Sequence, residues 1–146
     1  LFEDDLFTLE ETSDGLSGEA AEEKLQQILD ILVRQKKKSQ NHYITAAQKY
    51  LQRKYSDGSV SLSQVAEAIG TNPSYLSKLF KQNLGITFTD YLNKYRVNQS
   101  LDLLISTSDP VQMIAERCGF NSPQSYNRVF RKYYQITPTQ YREMNR

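Results

Sequence analysis

The sequence predicts an all-α fold: two copies of a two-helix unit joined by a long linker helix, preceded by an extra N-terminal amphipathic helix. Three observations carry this. No segment sustains the two-residue alternation of a half-buried strand, whereas several place apolar residues at helical spacing. Helix starts share one chemistry, a side-chain oxygen that can cap free backbone N–H groups, often followed by proline. The chain also repeats itself at an offset of 49 to 50 residues.

Residues 1–18 mix acids with Gly15, Gly18 and scattered Leu and Phe without a period, as a linker or domain edge would. Because the chain opens on Leu1 rather than Met, we expect it to be part of a longer protein. Over 19–38, Leu25, Ile28, Leu29 and Leu32 fall on one helical stripe. Acids open this helix, and Arg34, Lys36, Lys37 and Lys38 close it, which suits the macrodipole. A separate helix is expected over 43–55, burying Ile44, Ala47, Tyr50 and Leu51 and stopping at Asp57-Gly58. Later starts are read at Ser61 with Gln64, Asn72-Pro73, Asp109-Pro110 with Gln112, Ser122-Pro123, and Thr137-Pro138 with Gln140. A Gln three residues after the cap predicts a capping box. Thr87 with Asp90 opens the linker helix over 88–104.

The repeat defines the two units. Val65-Ala66-Glu67 returns as Ile114-Ala115-Glu116, and Gly70 as Gly119, at an offset of 49. Beyond the turn the offset is 50: Pro73 pairs with Pro123, Leu76 with Tyr126, Leu79-Phe80-Lys81 with Val129-Phe130-Arg131, and Tyr91 with Tyr141. One residue has therefore been added inside the second turn, and the copies span 61–82 and 110–132. Ala66 lets two helices approach closely, Gly70 supplies a left-handed reversal, and Leu76 and Leu79 pack back from the second helix. That is a helix-turn-helix pattern, met twice.

The outer faces of the second helices point to a ligand. With Leu76, Leu79 and Phe80 inside, Ser74, Tyr75, Ser77, Lys78 and Lys81 face out. With Tyr126, Val129 and Phe130 inside, Gln124, Ser125, Asn127, Arg128, Arg131 and Lys132 face out. Neither face carries an acid. Short donors and acceptors first, with bases after, suit DNA base edges and then phosphates. Lys78 and Arg128 are candidates for base edges, Arg128 the better because guanidinium can grip guanine twice. Lys81, Arg131 and Lys132 are candidates for phosphate contact. The bland alternative is a solvated face on paired helical hairpins. A linker of about 25 Å at 1.5 Å per residue would hold two recognition helices near one duplex turn apart, about 34 Å.

Composition agrees. The net charge of +1 divides into −9 over residues 1–30 and +10 over 31–146, an acidic leader on a basic body suited to a polyanion. One His, one Cys, no metal-spaced cluster and no Gly-rich phosphate loop leave no catalytic plan, so neither enzyme activity nor a cofactor is expected. The single cysteine excludes an intrachain disulfide and fits a reducing cytosol. Cys118 aligns with Ile69 as a small buried side chain, His42 reads as a surface residue, and Arg96 is expected to pair with an acid inside the domain.

Over 43–142 the residues resemble the DNA-binding domain of the AraC/XylS family of bacterial transcription regulators. The resemblance rests on Ser61-Leu62-Ser63-Gln64-Val65-Ala66, Tyr75-Leu76-Ser77-Lys78-Leu79-Phe80-Lys81, Gly85-Ile86-Thr87-Phe88, and Ile114-Ala115-Glu116-Arg117-Cys118-Gly119-Phe120 leading to Phe130-Arg131-Lys132 and Thr137-Pro138. It implies seven helices, cytoplasmic action at the bacterial nucleoid on double-stranded promoter DNA, and activation through contact with RNA polymerase. Four positions depart from the usual pattern: Ser125 for Tyr, Tyr126 for Phe, Gln135 for Gly and Ser100 for Ala.

The domain expectation is a DNA-binding domain over 41–146 and, over 1–40, an acidic leader with a linker or dimerisation helix from a truncated upstream region. The 19–38 stripe fits a homodimer or interdomain helix, or a helix folded back on the domain; the first is preferred. No membrane contact is expected in this segment. The rival function is a helix-turn-helix module that docks another protein, which acidic or large apolar residues on the outer faces of the second helices would favour; those faces carry none.

Overall fold

The computed structural model describes residues 18–146, so the leader's reading as a linker falls largely outside the described residues. The chain forms two compact units, Leu1–Tyr43 and Ile44–Arg146. Among the described residues all regular structure is helical: α1 Gly18–Lys54, α2 Leu62–Ile69, α3 Pro73–Leu84, α4 Phe88–Ser106, α5 Val111–Arg117, α6 Pro123–Tyr134 and α7 Pro138–Met144. Two helix-turn-helix subdomains, α2–α3 and α5–α6, are joined by α4.

The two helices expected over 19–38 and 43–55 are one helix of 37 residues. Ser39-Gln40-Asn41-His42 contains neither glycine nor proline. A stop there would orphan backbone carbonyls with nothing to cap them, whereas continuing costs only a few tenths of a kcal/mol per residue in propensity. Ile44, Ala47 and Leu51 are buried as expected, while Tyr50 is only half-buried.

Local starts follow the sequence closely, with one exception. Ser61 and Thr137 form complete capping boxes, and Asn72, Thr87 and Ser122 accept from the amides of Tyr75, Asp90 and Ser125. At α5 the expected Asp109 cap is absent: Pro110 occupies the cap position and no side chain caps the helix. Asp109 lies one residue too early to reach the free amides and instead pairs with Arg117 at 2.8 Å.

The duplicated unit packs twice in the same way. Val65, Ala66, Leu76, Leu79 and Phe80 are fully buried in the first copy, and Ile114, Ala115, Tyr126 and Phe130 at 0–1% exposure in the second. Phe80 meets Tyr91 at 5.5 Å between ring centroids, and its counterpart Phe130 meets Tyr141 at 5.6 Å, both edge-on. Cys118 is buried, and that burial pushes its thiol up to about 11.

Arg96 does not pair with an acid side chain as its principal partner. Its Nε donates to the Tyr55 carbonyl at 2.8 Å and its Nη2 to the Asp57 carbonyl at 2.8 Å. The Asp57 carboxylate is taken by the Ser59 amide and hydroxyl at 2.9 and 2.6 Å, which hold it below its ordinary range. In the second copy Arg142 Nε donates to the Leu104 carbonyl at 2.9 Å, 49 residues beyond Tyr55, its Nη2 donates to the Asp109 carbonyl at 2.7 Å, and Arg146 donates to the Thr107 carbonyl. Each copy thus ties the loop before its first helix to an arginine after its second.

Two of the four family departures meet in the core. The buried Tyr126 hydroxyl donates to Ser100 Oγ at 2.8 Å, and Ser100 donates to the Val97 carbonyl at 2.6 Å. Burial raises the Tyr126 hydroxyl pKa, and the Ser100 bond partly offsets this. Ser100→Ala should therefore cost about 1–3 kcal/mol by orphaning a buried hydroxyl, and adding Tyr126→Phe should recover most of that loss. Urea unfolding of the two single variants and the double variant measures the coupling; strictly additive losses would contradict it.

Gln135, the third departure, closes α6 at φ 61°, the one non-glycine residue with positive φ among those described. Its amide donates to the Arg131 carbonyl at 2.9 Å and its side chain to the Lys132 carbonyl at 3.2 Å, so the side chain helps satisfy the helix end that its strain closes.

Candidate nucleic-acid interface

The second helix of each subdomain presents one polar face. On α3, Ser74, Ser77, Lys78 and Lys81 are exposed and Tyr75 is half-buried. On α6, Gln124, Asn127, Arg128, Arg131 and Lys132 are exposed and Ser125 is half-buried. The inner stripes, Leu76-Leu79-Phe80 and Tyr126-Val129-Phe130, are buried, which fixes each helix about its axis. Bases cluster toward the C-terminal turns, Lys81 on α3 and Arg131 with Lys132 on α6, leaving the short polar residues near the N-termini.

Local contacts sort these residues. Ser125 belongs partly to the helix cap: its amide donates to Ser122 Oγ at 3.1 Å, and the Ser122 hydroxyl donates to Ser125 Oγ at 3.0 Å. Lys132 turns toward the linker, 3.4 Å from Asp90 and 5.6 Å from the centre of the Tyr133 ring. That pair is exposed, so a phosphate can compete for the ammonium group at small expense.

A small polar cleft lies beside Arg128, lined by Asn93, Arg96, Asn121 and Ser125 among others. Asn93 and Asn121 escaped the sequence reading. The available signal was the extra residue in the second turn. The lengthened turn reaches the loop after α1, where Asn121 Nδ2 donates to the Gly58 carbonyl at 3.3 Å. Gly119 in the same turn lies so close that an added Cβ would sit 2.2 Å from the Tyr55 carbonyl oxygen and 2.7 Å from Arg96 Nε. The α6 surface is therefore braced against the loop that precedes the first subdomain.

Among the described residues there is no group of three or more potential metal ligands, and no helix is long and apolar enough to cross a membrane.

Comparison with known proteins agrees with the helix-turn-helix fold. A family described as a helix-turn-helix domain matches residues 65–144, more than half of the chain. The chain belongs to the AraC-type helix-turn-helix family of DNA-binding transcription regulators. It is 36% identical to the C-terminal domain of AraT, a response regulator from Geobacillus stearothermophilus, with a TM-score of 0.67 over 70% of this chain and 84% of that one. An AraC-type regulator from Chromobacterium violaceum aligns with a TM-score of 0.65 at 28% identity, over 70% of this chain and 91% of that one. Among curated relatives, the HTH-type regulator YtdP of Bacillus subtilis is 34% identical over 90 residues, and the xylose operon regulatory protein of Escherichia coli 35% over 86. The matches cover 62% and 59% of this chain but only 12% and 22% of those two proteins.

Proposed function

We propose that residues 41–146 bind promoter DNA sequence-specifically, with α3 and α6 entering adjacent major-groove segments of one duplex. The observation that carries this is the pair of acid-free, base-bearing outer faces, each set by a buried stripe on the same helix. The linker helix α4 has 19 residues, about 28 Å at 1.5 Å per residue, so a span near one duplex turn needs modest help from DNA bending. One protomer could then read an asymmetric site. To this reading the family resemblance adds activation of bacterial transcription through RNA polymerase, in the cytoplasm.

Footprinting on genomic fragments tests it: two protected segments about 10 base pairs apart are expected on one face of the duplex. Absence of any preference over bulk competitor DNA at low salt would overturn it. Within that reading, Arg128→Ala should lose about 1–3 kcal/mol on the true site and relax base preference at one position. Equal losses on scrambled DNA would refute a base-reading role. Lys81→Ala should weaken binding to every sequence alike and reduce the slope of log K against log salt by about 0.9 per lost phosphate contact. An unchanged slope would count against phosphate contact by Lys81.

A further inference from the structure

Arg96 holds more donors than the fold uses. Its side-on edge is spent, Nε on the Tyr55 carbonyl and Nη2 on the Asp57 carbonyl, each at 2.8 Å. A guanidinium carries five N–H donors, so the end-on edge, Nη1 with the second proton of Nη2, is left over. Nη1 makes no hydrogen bond among the described residues, although Arg96 as a whole is only 7% exposed. No sealed side-chain nitrogen or oxygen among the described residues lacks a partner, so Nη1 opens onto the polar cleft that Arg96 lines. That cleft has a volume of about 130 Å³, several times what one water needs. Arg128 and Asn93 also line it, and neither has a hydrogen-bond or charge partner among the described residues. Ser125 brings in the first turn of α6, with the positive end of its dipole. The Asp57 carboxylate acts on Arg96 but is held by Ser59 outside the cleft, whose described walls carry no acid.

We propose that this cleft binds a single phosphate group. The free end-on edge of Arg96 offers two parallel donors to two oxygens, the geometry in which arginine grips an oxyanion. Asn93 adds a neutral donor from the same helix, and Arg128 adds charge from α6. Donors that converge from two helices suit a tetrahedral oxyanion better than a planar carboxylate. A phosphodiester of the DNA backbone and a free phosphate share this chemistry, and the two arms of the test separate them. The proposal goes beyond groove reading by α3 and α6, because the anion contact comes from a buried guanidinium on the linker helix.

In the first arm, the whole chain is titrated with sodium phosphate, against sodium chloride at equal ionic strength, and the backbone amides of Gly119 and Ser125 are followed by NMR. Phosphate should shift both saturably and chloride should not. Asn93→Asp sets a carboxylate in the cleft and should weaken phosphate about tenfold, the worth of one charge-assisted hydrogen bond. Asn98→Asp makes the same charge change on α4 outside the cleft, where Asn98 Oδ1 accepts from the Tyr134 hydroxyl at 2.7 Å. It should alter the affinity by less than about twofold. Thermal melts check that both variants stay folded. The second arm replaces single phosphates of the footprinted duplex by methylphosphonate. If the backbone supplies the group, one position should weaken the unaltered chain about tenfold and leave Asn93→Asp nearly unaffected. Such a coupled position assigns the phosphate to DNA, whereas saturable phosphate binding without one assigns a free ligand. Phosphate acting as chloride does, with no coupled position, would overturn the proposal, as would equal losses in the two aspartate variants. A chain that takes up phosphate but footprints nowhere would end the DNA reading and leave this one standing.

Discussion

Gly119→Ala is expected to destabilise the protein by about 4 kcal/mol or more, whereas Gly70→Ala at the equivalent point of the first copy should cost only about 1–2 kcal/mol. Both glycines have left-handed backbone, φ 93° and 84°, so the conformational penalty on an L residue is shared. Their surroundings differ. A Cβ at Gly70 would meet nothing within 4 Å, while one at Gly119 would overlap the Tyr55 carbonyl oxygen and Arg96 Nε. Neither atom can yield freely. The oxygen belongs to the backbone, and Arg96 is buried with its guanidinium committed to the Tyr55 and Asp57 carbonyls. Moving it would leave two carbonyls and a buried cation short of partners, at about 1.5–3 kcal/mol for each charged hydrogen bond lost. Urea midpoints at unchanged m-value provide the comparison. Equal losses at the two glycines would show that the second turn is not braced in the way described.

Phe130→Ala should cost about 3–5 kcal/mol, a large share of the 5–15 kcal/mol by which a typical domain is stable. Phe130 is fully buried, and its ring lies 5.7, 5.2 and 5.6 Å from those of Tyr126, Tyr134 and Tyr141. It thus ties α6 to its own C-terminal turn and to α7. Removing the ring opens a void lined by aromatic edges that cannot collapse without tilting α6, and each lost ring pair adds about 0.5–1.5 kcal/mol beyond the area term. Phe130→Leu keeps most of the volume and should lose less than half as much. Thermal melts of the two variants decide the matter. A loss under about 1 kcal/mol for the alanine variant would mean that the second subdomain does not depend on this cluster.

How far the sequence could be read depended on whether the deciding interaction was local. Four of the five oxygen-bearing starts, together with Thr87, formed as read because a cap needs only residues two or three apart. The fifth, Asp109, failed because Pro110 displaced it from the cap and Arg117 offered a charge. The inner stripes of α3 and α6 were legible because helical period alone divides inside from outside. The break expected between 38 and 43 is absent because the basic run Arg34 to Lys38 suits a helix end without enforcing one, and no glycine or proline follows it there. Asn93 and Asn121 were missed because the first lies on the linker and the second on the lengthened turn, and only folding brings them beside Arg128.

By itself, the sequence determined the all-helical class, the duplication, and the polar faces of α3 and α6, since periodicity, caps and glycine reversals act within a few residues along the chain. Tertiary structure alone decided what Arg96 holds, why Gly119 is crowded where Gly70 is free, and that Ser100 and Tyr126 depart from the family pattern as a bonded pair. Those contacts join residues 26 to 64 positions apart, and no local preference specifies which distant carbonyl or hydroxyl a buried polar group must find.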